Sequence, residues 1–224
     1  MGEMVTFPSN GSQAEGYLAK PASGSGPGVI VIQEWWGLND NIKDIADRFA
    51  GEGFVALAPD LYHGKVTPEP DEAMKLMMGL QMDQAAKDMS GAVDYLVGLD
   101  ATTGSKVGSV GFCMGGGLSI VLATMKPQIG ACVSFYGVLQ QMPELANIQG
   151  AVLGHYAEND AFASPESARA LEKQLKDLGK DAEIHVYPGT QHAFFNDTHT
   201  ETFVPEAAKQ SWERTLAFYR KHLG

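Results

Sequence analysis

Six short apolar runs punctuate the chain: Gly28–Gln33, Phe54–Pro59, Lys106–Phe112, Ile129–Tyr136, Ala151–Tyr156 and Ala182–Tyr187. They are rich in Val, Ile and Phe and mostly do not alternate with polar residues. Strands covered on both faces look like this, and such strands belong to a parallel sheet. Helical patterns with readable ends lie between them. Asn39 or Asp40 can cap a helix carrying Ile42, Ile45, Ala46 and Phe49, stopped near Gly51–Gly53. Asp83 to about Gly98 carries Ala86, Met89, Val93 and Leu96 at helical spacing. Ser164-Pro165 is an N-cap followed by proline at the first helical position, and Gly179 closes that helix. Pro205–His222 is a terminal amphipathic helix, and Met4–Lys20, turning at Ser9-Asn10-Gly11, reads as an antiparallel hairpin. The alternation predicts an α/β fold, a doubly wound and mostly parallel sheet with helices on both faces and no separate lid domain. The expected organisation is one domain over residues 1–224.

Sheets of this kind bind ligands beyond the carboxyl ends of their strands. The residues found there are Glu34, Asp60, Cys113, Tyr136, the cluster Glu158-Asn159-Asp160 and the loop Gly189-Thr190-Gln191-His192. The sharpest local signal is Val110-Gly111-Phe112-Cys113-Met114-Gly115-Gly116-Gly117, which follows one strand and opens a helix running to Met125. This is the glycine-flanked nucleophile elbow, with cysteine where serine is usual. A side chain at 111 or 115 is expected to collide with the neighbouring turn. The helix behind Cys113 points its N-terminal dipole at the sulfur, which favours a thiolate. The glycines do not follow the G-x-G-x-x-G spacing of a dinucleotide site. Asp160 and then His192 complete the order nucleophile, acid, histidine of α/β-hydrolases. Glu158 is the competing acid, two residues away; Asp160 is preferred because it lies nearer the following helix. His155 and His185 fall inside strand runs, where packing is their expected role.

Composition narrows the classes. Sixteen Lys+Arg against 27 Asp+Glu leave a net charge of −11 over 224 residues, with no basic stripe, so no nucleic-acid partner is expected. Hydrophobic residues make up 44%, too many for a disordered chain, yet no run is long and apolar enough to span a membrane. The opening residues lack the charged and apolar regions of a signal peptide, so a cytoplasmic location and a monomer without membrane association are expected. Cys113 and Cys132 lie 19 residues apart and form no C-x-x-C redox motif.

Five segments carry a resemblance to the dienelactone hydrolase (carboxymethylenebutenolidase) family. They are Val31-Ile-Gln-Glu-Trp-Trp-Gly-Leu-Asn39, Ala58-Pro-Asp-Leu-Tyr62, Val107-Gly-Ser-Val-Gly-Phe-Cys-Met-Gly-Gly116, Phe135-Tyr-Gly-Val138 and Gly189-Thr-Gln-His-Ala-Phe194. The resemblance implies an α/β-hydrolase fold and cleavage of an ester or enol-lactone through a thioester on Cys113, as in the breakdown of aromatic compounds. His192 would be the base and Asp160 its orienting group. Glu34 would contact the resting thiol and help to generate the thiolate. Backbone N–H groups of Trp35 and Met114 would form the oxyanion hole, and Trp36, Tyr136, Met74 and Phe194 would line a substrate pocket. No metal or organic cofactor is required. Family members acting on dienelactone hold its carboxylate with arginines, one before the mid-chain helix and one shortly after the histidine. Here those regions read Pro68-Glu-Pro-Asp-Glu-Ala-Met-Lys75 and Ala193-Phe-Phe-Asn196, without arginine. A neutral, more apolar substrate is expected. The competing readings are a broad carboxylesterase or thioesterase on the same scaffold and a non-catalytic binding protein.

Overall fold

The computed structural model describes every residue except Met1, Gln140 and Met142. Its eight strands form one sheet in the order β1-β2-β4-β3-β5-β6-β7-β8, and the chain groups into two compact units, Met1–Ser109 and Val110–Gly224.

The first unit contains β1 (Glu3–Ser9), β2 (Ser12–Ala19), β3 (Gly26–Ile32), α1 (Asp40–Gly51), β4 (Val55–Pro59), α2 (Pro70–Met78) and α3 (Met82–Val97). β1 and β2 form the expected hairpin around Asn10-Gly11, and β2 continues antiparallel against β4. Their burial alternates along the chain, as befits strands with one wet face. β3 and β4 are parallel and buried almost throughout, which is why their sequences are unbroken apolar runs. At the start of α1 the cap is Asn39, whose Oδ1 accepts from the Ile42 N–H at 3.1 Å. The helix α2 was not legible in the sequence. It buries only Ala73 and so carries no apolar stripe; Met74 and Met78 are 41% and 77% exposed.

β5 (Thr102–Phe112) runs across the division between the units. It begins four residues before the expected Lys106 because its first five positions are not buried and bear no hydrophobic signature. The second unit continues with α4 (Met114–Met125), β6 (Ile129–Phe135), β7 (Ala151–Asn159), α5 (Pro165–Asp177), β8 (Ala182–Gln191) and α6 (Pro205–Leu223). β6, β7 and β8 are parallel neighbours. The core here is aromatic: Phe135 lies 4.9 Å from Phe112 and 4.8 Å from Phe195, ring centre to ring centre, and Trp212 of α6 closes on Phe195 at 6.1 Å. Ser164 caps α5 through its hydroxyl, which accepts from Ser167 N–H at 3.2 Å, and Pro165 follows it as expected. β8 corrects one expectation: residues 188–191 are strand and not loop, so His192 directly follows the sheet.

Candidate active site

Cys113 sits between β5 and α4 with φ 54° and ψ −119°, a conformation that costs a non-glycine residue about 1–3 kcal/mol. The backbone around it explains how that strain persists. Cys113 N–H donates to Phe135 C=O at 3.1 Å, while Cys113 C=O accepts from Gly116 and Val138 N–H at 3.0 and 3.2 Å. The glycines let these segments touch. A Cβ on Gly111 would stand 1.9 Å from the Gly115 carbonyl oxygen, and one on Gly117 would stand 2.1 Å from that of Val138. The glycine run is therefore a packing device between α4 and the segment 135–138.

His192 turns its Nδ1 to Asp160 Oδ2 at 2.7 Å and is also hydrogen-bonded to Cys113. With Nδ1 donating to the carboxylate, Nε2 is the atom left for the sulfur. The other oxygen of Asp160 accepts from the N–H groups of Phe162 and Ala163 at 2.8 and 3.0 Å. Burial alone would raise the pKa of this fully inaccessible carboxyl; the hydrogen bonds from His192 and Ala163, with the histidine's charge, outweigh it and hold the group below its ordinary value. Burial likewise disfavours charge on His192, yet the hydrogen bonds and negative charges of Asp160 and Cys113 push its pKa up to about 10. Both partners thus favour the protonated ring.

Glu158, the competing acid, is occupied elsewhere, accepting from Gly189 N–H at 2.8 Å. The His192 ring is flanked by Tyr136 at 5.0 Å and by Phe162, edge to face, at 5.4 Å. Tyr136 and Phe194, expected to line a pocket, present no accessible surface and form a packed backing 5.6 Å apart. Phe162, which sequence reasoning passed over, is 74% exposed; its place two residues after the acid was the available signal. In the first unit, Glu34 is buried just past the end of β3, and Trp35 and Trp36 meet edge to face at 4.8 Å. Met74 stands exposed on α2.

His155 is packed inside its strand, as expected, but within a polar chain that the sequence did not announce. Arg214 Nη1 donates to the Tyr187 hydroxyl at 2.9 Å, which lies 2.9 Å from His155 Nδ1. His155 Nε2 lies 3.1 Å from Thr215 Oγ1, which donates to Ser211 C=O at 2.9 Å. Because Thr215 has given its proton to a carbonyl, Nε2 must donate and Nδ1 must accept. Burial, with the charges of His185 and Arg214, keeps His155 neutral, far below its usual pKa. Among the described residues, no group of three or more His, Cys, Asp or Glu is placed to hold a metal ion, and no helix is long and apolar enough to cross a membrane.

A mostly parallel eight-stranded sheet with a cysteine elbow and a histidine–aspartate pair after the last two strands is the architecture of an α/β-hydrolase. The chain belongs to the dienelactone hydrolase family, whose model matches residues 14–223. It is 42% identical to Protein usf of Aquifex pyrophilus over 231 residues, covering all of both chains. It is 36% identical, again over the whole of both, to an Aquifex aeolicus protein provisionally named a carboxymethylenebutenolidase. Among solved structures, one from Klebsiella pneumoniae, provisionally named a dienelactone hydrolase, superposes with a TM-score of 0.89 at 28% identity over 99% of each chain.

Proposed function

We propose that the protein hydrolyses an enol-lactone or similarly activated ester through a thioester on Cys113. The observation that carries this reading is the hydrogen-bonded series from Asp160 through His192 to a cysteine held at a strained strand–helix turn. The thiolate attacks the carbonyl, and the proton given up by the thiol resides on His192, whose raised pKa favours the imidazolium. The backbone N–H of Met114, at the start of α4, receives the developing oxyanion, such a donor contributing about 2.7–4 kcal/mol. As the ring opens, the C–O bond breaks and the leaving enolate takes the proton from His192. Acylation also removes the charge of Cys113, one of the influences that raise the histidine. Neutral imidazole then draws a proton from water, the resulting hydroxide attacks the thioester, and the acid departs while Cys113 is regenerated. Asp160 holds the tautomer throughout. From the family resemblance, Glu34 assists thiolate formation.

The substrate is neutral and apolar. The family's arginine positions are empty of arginine here, and Arg214 is committed to Tyr187 by a hydrogen bond and by stacking 5.4 Å over its ring. The test is acid quenching during turnover of a chromogenic enol ester, followed by peptide mass analysis. The acyl group should be found on the peptide carrying Cys113, and Cys113→Ala should lower kcat by about a thousandfold or more. An acyl group on another residue, or a Cys113→Ala enzyme of undiminished activity, overturns the reading.

A further inference from the structure

β7 and β8 pair in register from Val152↔Ala182 to Ala157↔Tyr187, an offset of 30 residues, and then resume at Asn159↔Gln191, an offset of 32. Three residues of β8, Pro188, Gly189 and Thr190, therefore lie opposite one residue of β7, Glu158. The offset after this bulge is also that between Asp160 and His192. Without the two extra residues Asp160 would face Thr190, and the 2.7 Å hydrogen bond to the imidazole would have no counterpart. What holds the bulge is visible. The Glu158 carboxylate accepts from the N–H of Gly189, the middle residue, at 2.8 Å. The Thr190 hydroxyl donates to Tyr187 C=O at 2.8 Å, and Gly189 has φ 70°, in the region that favours glycine. Beneath the bulge, the contact of Tyr187 with His155 locks the last in-register residue of β8, so the extra length cannot migrate down the strand.

We infer that Glu158 is a positioning residue: by pinning Gly189 it keeps β8 bulged in the one register that brings His192 to Asp160. The inference rests on the catalytic reading of that pair, although the pair's geometry can be measured without it. Glu158 touches neither the imidazole nor the sulfur in any described contact, and its side chain lies at the surface, so replacing it leaves the core intact.

The test compares Glu158→Ala with Glu158→Gln, whose amide oxygen can still accept from Gly189. Two readouts are followed: the downfield proton resonance of His192 Nδ1–H, and the pH profile of kcat/KM. Glu158→Ala should shift or broaden the resonance and lower kcat about tenfold with little change in KM, as expected for sub-ångström misplacement of a catalytic base. It should also move the histidine limb of the pH profile to lower pH, because the Asp160 contact that raises His192 is weakened. Glu158→Gln should restore resonance, rate and limb together. A Glu158→Ala protein with an unaltered resonance overturns the inference, whether or not its melting temperature falls; so does failure of Glu158→Gln to rescue. If acyl trapping on Cys113 fails while the resonance still responds to Glu158, the chemical reading has failed and the register pin has not.

Discussion

Asp160 uses both of its carboxylate oxygens, one for His192 and one for two backbone N–H groups of the loop that follows it. The two partners link to pH in opposite senses. The carboxyl is lowered, so its contribution to stability is present above its unfolded value, about 3.9, and is lost as pH falls through the folded value. The imidazole is raised to about 10, so its contribution is complete below about 6.5 and fades as pH rises from there to the folded value. The pair therefore stabilises most between about pH 4 and 6.5. Thermal melts should show the wild type losing stability from pH 6.5 towards 10, with a much shallower loss in Asp160→Asn, where the charge that raises His192 is gone. The positions of Cys113, Asp160 and His192 were legible because each directly follows a strand of the sheet. The backing role of Phe194 was not, since an aromatic beside a histidine reads the same whether it faces substrate or core.

At the level of elements, strands covered on both faces announce themselves, and elements that bury little do not. β3, β4, β6 and most of β7 were visible as apolar runs; α2 and the first half of β5 were hidden because neither buries an apolar face. The bulge in β8 was hidden for a different reason: periodicity marks which face a residue takes, but the pairing offset is a property of two strands together. The staple joining β7, β8 and α6 through His155 belongs to the same category. Replacing His155 by Leu would leave the Tyr187 proton without its acceptor in the core. Urea unfolding should show a loss of about 2–4 kcal/mol, and Tyr187→Phe a smaller loss of about 1 kcal/mol. His155 is depressed, so the wild type should also lose stability as pH falls below about 6.5, and His155→Leu should lack that component.

Over the whole molecule the net charge of −11 acts on whatever approaches it. An anionic lactone meets repulsion that salt screens, with a Debye length of about 10 Å at 0.1 M. Raising ionic strength should therefore increase kcat/KM for a carboxylate-bearing lactone and leave that for its methyl ester nearly flat, the ester being the better substrate throughout. Stopped-flow or steady-state assays between low and moderate salt decide the matter, and a strong preference for the free acid would argue for a cationic clamp formed by residues other than the family's arginines. The pairing of β7 with β8 has a consequence for how such a chain can change in length. Asp160 and His192 directly follow adjacent strands, so everything between Ala163 and Asp181, α5 included, is an excursion that returns to the same sheet. Residues can be gained or lost there over evolutionary time without moving the acid from the histidine. Between Tyr187 and His192 the chain has no such freedom: one inserted residue there changes the offset that brings the imidazole to Asp160.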